Sequence, residues 1–144
     1  MKRKFILAHM KVAEVYSELS SAKRLKVGAV IVKDDTIIGI GYNGMPSGWT
    51  NQCEDEVLNA HDSNSQLKTK PEVIHAESNA ISKVARSTNS TEGSYMFVTH
   101  APCLDCAKLI HQSGISRVYY KNVYRNEDGL KFLEKCGVKI MNIE

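Results

Sequence analysis

The sequence predicts an α/β chain, a three-layer α/β/α sandwich on a five-stranded mixed sheet whose last strands run parallel. Three observations lead there. Runs of β-branched residues alternate with stretches of helical apolar spacing in the order α-β-β-α-β-α-β-α-β. The first two strands are too close in sequence for a crossover and form an antiparallel hairpin, whereas the last three are each separated by a helix and run parallel, with right-handed connections. The 144 residues, 42% of them apolar and spread along the whole length, suit a single domain over residues 1–144 that needs no staples.

Residues 2–20 place Phe5, Ala8, Val12, Val15, Tyr16 and Leu19 at helical spacing, with Lys, Glu and Ser on the other face, which predicts an amphipathic opening helix. VGAVIV (27–32) and TIIGIGY (36–42) are strands joined by a turn at Lys33-Asp34-Asp35. The stretch from Asn43 to Ile74 is much longer than an ordinary connection. It predicts one helical segment near Glu54–His61, and long ordered insertions usually build binding sites. A helix over residues 76–86, a buried strand over 94–100 and a helix from Leu104 to Gln112, ended by Gly114, come next. Arg117–Lys121 is a short strand, Asp128–Cys136 a helix, and Val138–Asn142 a last strand after Gly137. No internal repeat or linker interrupts this order.

Nineteen basic residues against 16 acidic ones leave a net charge of only +3, and the basic residues cluster only at Lys2-Arg3-Lys4 and around Lys23–Lys26. That balance favours a small anionic ligand over polymeric nucleic acid, which leaves a denser basic footprint. No stretch reads as a secretion signal or as a membrane span, so the expected location is the cytoplasm. With no export signal, the four cysteines read as thiols, and their one C-x-x-C pair as metal-binding or redox chemistry.

The chemistry concentrates in two short motifs. His75-Ala76-Glu77 opens one predicted helix and Pro102-Cys103-Leu104-Asp105-Cys106 opens the next. His75, Cys103 and Cys106 are donors suited to Zn²⁺; a catalytic zinc takes three protein ligands and keeps a fourth position open, whereas a structural one fills all four. Two thiolates spaced C-x-x-C come from one helical turn, where the helix N-terminus favours the deprotonated sulfurs, and Pro102 suits a first-turn position that needs no amide donor. Glu77 lies two residues past His75, near the metal without being a ligand, and can carry a proton from water to a ring nitrogen and a leaving amine. A redox pair or half of a structural zinc knuckle is the plainer reading of C-x-x-C. A thioredoxin-type motif, however, follows the first strand, and here His-x-Glu opens the partner helix.

Other candidates carry less. His9, His61, His100 and His111 read as surface or core histidines, although His100 is close enough to the cysteine motif to line the site. Cys136 falls on an apolar helix face, and Cys53 or His61 could hold a second zinc only with distant partners.

His-x-Glu with Pro-Cys-x-x-Cys is the known signature of zinc nucleobase deaminases. Beyond it, KVGAVIV, GIGYNGMPSG, IHAESNAI and PCLDCAKLI resemble the deoxycytidylate deaminases of the cytidine deaminase superfamily along essentially the whole chain. The resemblance implies the cytidine deaminase-like fold and hydrolysis of dCMP to dUMP and ammonia, which supplies thymidylate synthesis. It also implies a hydrogen bond from Asn43 to the deoxyribose hydroxyl, and a homohexamer. Regulation is implied through the loop holding Tyr42, Gly44, Met45 and Gly48, with dCTP and Mg²⁺ activating and dTTP inhibiting. Arg24 and Lys26 are candidates for the substrate phosphate, Tyr120 for packing on the pyrimidine, Lys121 for further phosphate contact, and the backbone at Ala76 and Cys103 for orienting the base.

Two alternatives stand beside this expectation: a deaminase of tRNA adenosine or of free cytidine nucleosides, and a non-catalytic zinc-stabilised nucleotide-binding protein. Glu77 argues against the last, and the GYNGMPSG loop argues for the nucleotide branch over the first.

Overall fold

In a computed structural model, which describes residues 1–58, 65–123 and 126–144, helices pack on both faces of one principal sheet. The elements are α1 (Arg3–Ser17), β1 (Gly28–Lys33), β2 (Thr36–Tyr42), β3 (Glu54–Leu58), β4 (Ser65–Thr69), α2 (Ala76–Ala85), β5 (Tyr95–His100), α3 (Leu104–Gln112), β6 (Arg117–Asn122), α4 (Asp128–Lys135) and β7 (Lys139–Asn142). The five-stranded sheet has the order β2-β1-β5-β6-β7. β1 is antiparallel to both its neighbours, while β6 is parallel to β5 and to β7, which is the mixed sheet expected from the spacing. The β1–β2 hairpin turns on Asp34 and Asp35, both in the left-handed region (φ 49° and 60°), where a short Asp side chain is tolerated and the turn matches the strand twist.

Strand alternation divides the interior into two layers. Ala29, Ile31, Met96, Val98 and Val118 belong to the cluster covered by α2, α3 and α4, where Ala80, Val84, Ile110 and Leu133 meet them. Val30, Val32, Phe97 and Tyr119 belong to the other, together with Ile6, Met10 and Ala13 of α1. Burying one large apolar side chain contributes roughly 1.5–3 kcal/mol, so both faces of the central strands are stabilised by helices, and the three-layer sandwich follows.

Two expectations from the sequence are corrected here. α1 buries Ile6, Met10 and Ala13, while Phe5, Val15 and Leu19 are 48%, 59% and 57% exposed. The helix presents a different face because the small Ala13 sits where α1 comes closest to β1. At Gly28 a Cβ atom would collide with the Ala13 carbonyl oxygen, so only glycine admits this approach. The insertion after β2 holds no helix at Glu54. β3 and β4 pair antiparallel instead, with Glu54 opposite Thr69 and Asp55 opposite Lys68. Asp55 faces Lys68 across the ladder, and the Lys70 ammonium lies 3.7 Å from the Asp55 carboxylate, so cross-strand pairing overrides a helix-compatible composition. The far end of the expected helix, including His61, falls outside the described residues.

Candidate active site

α2 and α3 lie side by side on the same face of the sheet, and their first residues converge. His75 caps α2 and Cys103 caps α3, both with extended backbone (φ −72°, ψ 152° and φ −69°, ψ 170°), and Cys106 lies one turn into α3. Their donor atoms all fall within 4.8 Å of one another. The His75 Nδ1 is 3.6 Å from the Cys103 Sγ and 3.3 Å from the Cys106 Sγ. α2 is held flush to the sheet by Gly41 of β2, where a Cβ atom would strike the Ala76 carbonyl oxygen. Pro102 stands one residue before the cap rather than in the first turn, and it is buried.

The three groups are coupled through their hydrogen bonds. The hydrogen bond from Cys106, followed by that from His75, pulls the Cys103 thiol down to about 3. Its neighbour Cys106, sharing that hydrogen bond and buried beside the Cys103 thiolate, is pushed up. The Cys103 hydrogen bond also holds His75 above its ordinary value. One imidazole and two sulfurs at this separation fit Zn²⁺, and three protein donors leave its fourth position free. Glu77, in the first turn of α2, is 4% exposed. Burial pushes its carboxyl up to about 7, against the opposing pull of its own backbone N–H and of His75. A carboxyl poised there can both take and give a proton near neutral pH.

A cavity of about 450 Å³ opens beside these groups, and His75, Ala76, Glu77 and Cys103 form part of its wall. The lining also includes Arg24 from the segment before β1, Asn43 just after β2, and Glu54, Lys68 and Thr69 of the β3–β4 hairpin. Side-chain hydrogen bonds tie these pieces together. The Val27 N–H donates to Asn43 Oδ1 and Asn43 Nδ2 donates to the Leu25 carbonyl, both at 2.8 Å. Glu54 Oε2 accepts the backbone N–H groups of Lys23 (2.8 Å) and Arg24 (2.9 Å), and Arg24 Nη1 donates to Thr69 Oγ1 at 3.2 Å.

Of the residues singled out in the sequence, the structure thus brings His75, Ala76, Glu77, Cys103, Arg24, Asn43 and His100 to one cavity, with the Cys106 sulfur within 4.8 Å of the His75 and Cys103 donor atoms. Lys26 is exposed and does not line it. Tyr120 and Lys121 do not line it either, for a reason strand alternation supplies. Tyr120 follows Val118 onto the core under the helices, and Lys121 turns toward α1, where its ammonium meets Glu14 at 2.7 Å. Tyr42, Gly44, Met45 and Gly48 also stand outside the lining. Among the described residues, His75, Cys103 and Cys106 are the only cluster of possible metal donors, although Cys53 is buried against the cavity. Sequence reasoning missed Glu54, Lys68 and Thr69. The alternation in Gln66-Leu67-Lys68-Thr69-Lys70, opposite Glu54-Asp55-Glu56, was the signal that could have found them.

Comparison with known proteins agrees with this geometry. The family described as "Cytidine and deoxycytidylate deaminase zinc-binding region" matches residues 3–122. The deoxycytidylate deaminase of Homo sapiens is 41% identical over 94% of this chain and 83% of its own length, and that of Enterobacteria phage T4 is 34% identical over 93% and 87%. Among solved structures, a dCMP deaminase from the cyanophage S-TIM5, crystallised with dCMP and dUMP, superposes with a TM-score of 0.88 at 44% identity, covering 99% of both chains. With the metal donors, the buried carboxyl and the fold all in agreement, the chain belongs to the zinc-binding cytidine and deoxycytidylate deaminase family.

Proposed function

We propose that this chain hydrolyses the 4-amino group of dCMP, taking up water and releasing dUMP and ammonia. The observation that carries the proposal is the buried Glu77 carboxyl beside the three-donor cluster, at a cavity whose lining also holds Arg24 and Lys68. The likeness to deoxycytidylate deaminases over more than nine-tenths of the chain supports the substrate.

His75, Cys103 and Cys106 would hold Zn²⁺, which supplies the Lewis acidity that brings the pKa of water down toward neutrality. Glu77 accepts a proton from the attacking water, delivers it to N3 as C4 is attacked, and carries the second proton to the departing amine. Ala76 and Cys103 orient the base from the cavity wall. Asn43 spends one amide hydrogen and one oxygen lone pair on the Leu25–Val27 segment, and keeps one of each for the deoxyribose hydroxyl. Arg24, with Lys68 in the role expected of Lys26, binds the 5′-phosphate.

The test is ammonia release from dCMP, deoxycytidine and a tRNA anticodon stem. dCMP is the preferred substrate, and Arg24→Ala raises KM for dCMP on the order of tenfold or more while leaving the slow turnover of deoxycytidine unchanged. Equal turnover of deoxycytidine and dCMP by the unaltered protein would sink the phosphate assignment.

Regulation by dCTP with Mg²⁺ and by dTTP belongs to the same proposal. Its support is the loop holding Tyr42, Gly44, Met45 and Gly48. Gly44 and Ile74 exchange backbone hydrogen bonds at 3.1 and 2.8 Å, so a ligand on that loop pulls on the residue next to His75. The exposed Phe5 and Val15 on α1, with Leu19 just after it, support a homohexamer, with one catalytic domain per chain. A cytoplasmic place, supplying dUMP for thymidylate synthesis, completes the reading; no helix among the described residues is long and apolar enough to cross a membrane.

A further inference from the structure

We infer that His100 is a substrate-binding residue: a neutral imidazole, fixed as the Nε2–H tautomer, that donates a hydrogen bond to an oxygen of the bound nucleotide. The inference rests on the reading of the cavity as a nucleotide site and adds to it a residue outside the His-x-Glu and Cys-x-x-Cys motifs.

His100 ends β5 and lines the cavity three residues before Cys103. Its Nδ1 lies 2.9 Å from the hydroxyl of Thr99, and that single atom decides the tautomer. Thr99 is 3% exposed, and its Oγ1 already accepts the backbone N–H of Gly28 at 3.1 Å. A buried hydroxyl must still place its own proton. Among the described residues the one acceptor in reach is His100 Nδ1, so the hydroxyl donates and the ring nitrogen accepts. Nδ1 therefore carries a lone pair and Nε2 carries the hydrogen. With Nδ1 committed, Nε2–H is the polar atom left to face the cavity, and burial of the ring disfavours a second proton.

The chain of hydrogen bonds runs from Gly28 through Thr99 to His100, which makes Thr99 a positioning residue and links the first residue of β1 to the donor in the cavity. A side chain that always donates suits the oxygen-rich surface of a nucleotide: base carbonyl, sugar hydroxyl or phosphate. It also does what the cationic residues cannot, because it binds oxygen without adding charge beside the His75, Cys103 and Cys106 cluster.

The test is ¹⁵N–¹H correlation of the histidine rings in the zinc-loaded protein, with and without dUMP, together with kinetics of two variants. The expected spectrum has Nε2 of His100 protonated and Nδ1 bare, with the Nε2 resonance shifting on addition of dUMP. His100→Phe raises KM for dCMP on the order of tenfold with zinc content unchanged, and His100→Gln, whose amide N–H reaches the Nε2 position, recovers part of that loss. A protonated Nδ1 overturns the inference, as does a His100 resonance that stays put while other cavity residues respond to dUMP. If no cavity residue responds to dUMP, the nucleotide site itself fails and this inference fails with it.

Discussion

A carboxyl with a pKa of about 7 is a proton carrier because neither of its forms dominates near neutrality, and Glu77 reaches that state through burial. Replacing it with Gln keeps the shape but puts an amide donor in place of one oxygen and removes the titratable proton. Glu77→Gln should lower kcat by at least about 100-fold while zinc content stays at the wild-type level, read by ammonia release beside metal analysis. Wild-type turnover in such a protein would remove Glu77 from the mechanism. His9 makes a separate case for burial. Its ring packs 5.1 Å from that of Phe97, and burial lowers its pKa from 6.5, partly offset by Asp35. The folded state then binds protons less readily than the unfolded chain, so stability is full above about 6.5 and declines as pH falls below it. Denaturant midpoints between pH 7 and 5 should fall less steeply in His9→Gln than in the wild type. These residues also mark where sequence reading works. His75, Glu77, Cys103 and Cys106 were legible because their chemistry is written in short spacings. Tyr120 and Lys121 stand outside the cavity lining, because position at a strand's end does not say which way a side chain points.

At the scale of elements, two glycines set how closely helices approach the sheet, and one of them bears on the site. The start of α2 sits where β2 presents Gly41, and a methyl group there meets the Ala76 backbone rather than a movable side chain. Gly41→Ala should destabilise the fold by about 1–3 kcal/mol and weaken zinc retention, because the whole first turn of α2 must shift. Thermal unfolding and zinc release to a chelator measure the two effects, and unchanged values in both would show that α2 is not held this way. The strands and helices of the main sheet were legible in periodicity alone. The β3–β4 hairpin was not, because the short sequence Glu54-Asp55-Glu56-Val57 accepts either conformation and only its pairing with β4 decides. The face of α1 was missed for a related reason. The bulky apolar residues favoured a stripe through Phe5 and Val15, but the close approach at Gly28 selects the small Ala13.

At the scale of the molecule, both apolar clusters form without any of the three metal donors. The fold should therefore outlast the loss of zinc. After chelation, far-UV circular dichroism is expected to persist with a lower Tm and no activity, and added zinc restores both. The stabilisation grows with free zinc and reaches about 2.7 kcal/mol at a hundred times Kd. A chain that unfolds outright on chelation would instead make the ion structural, as in a zinc finger.

The donors come from separate parts of the chain, 28 residues apart in sequence between His75 and Cys103. During synthesis at about 5–20 residues per second, His75 precedes the sulfurs by roughly 1–6 s. β5 must also take its place beside β1 before α3 can present them. Loading of the ion is consequently a late event in the life of a new molecule, and until then the Cys103–Cys106 pair is open to oxidation. Trapping thiols on ribosome-bound chains stalled before and after β6 would time that window.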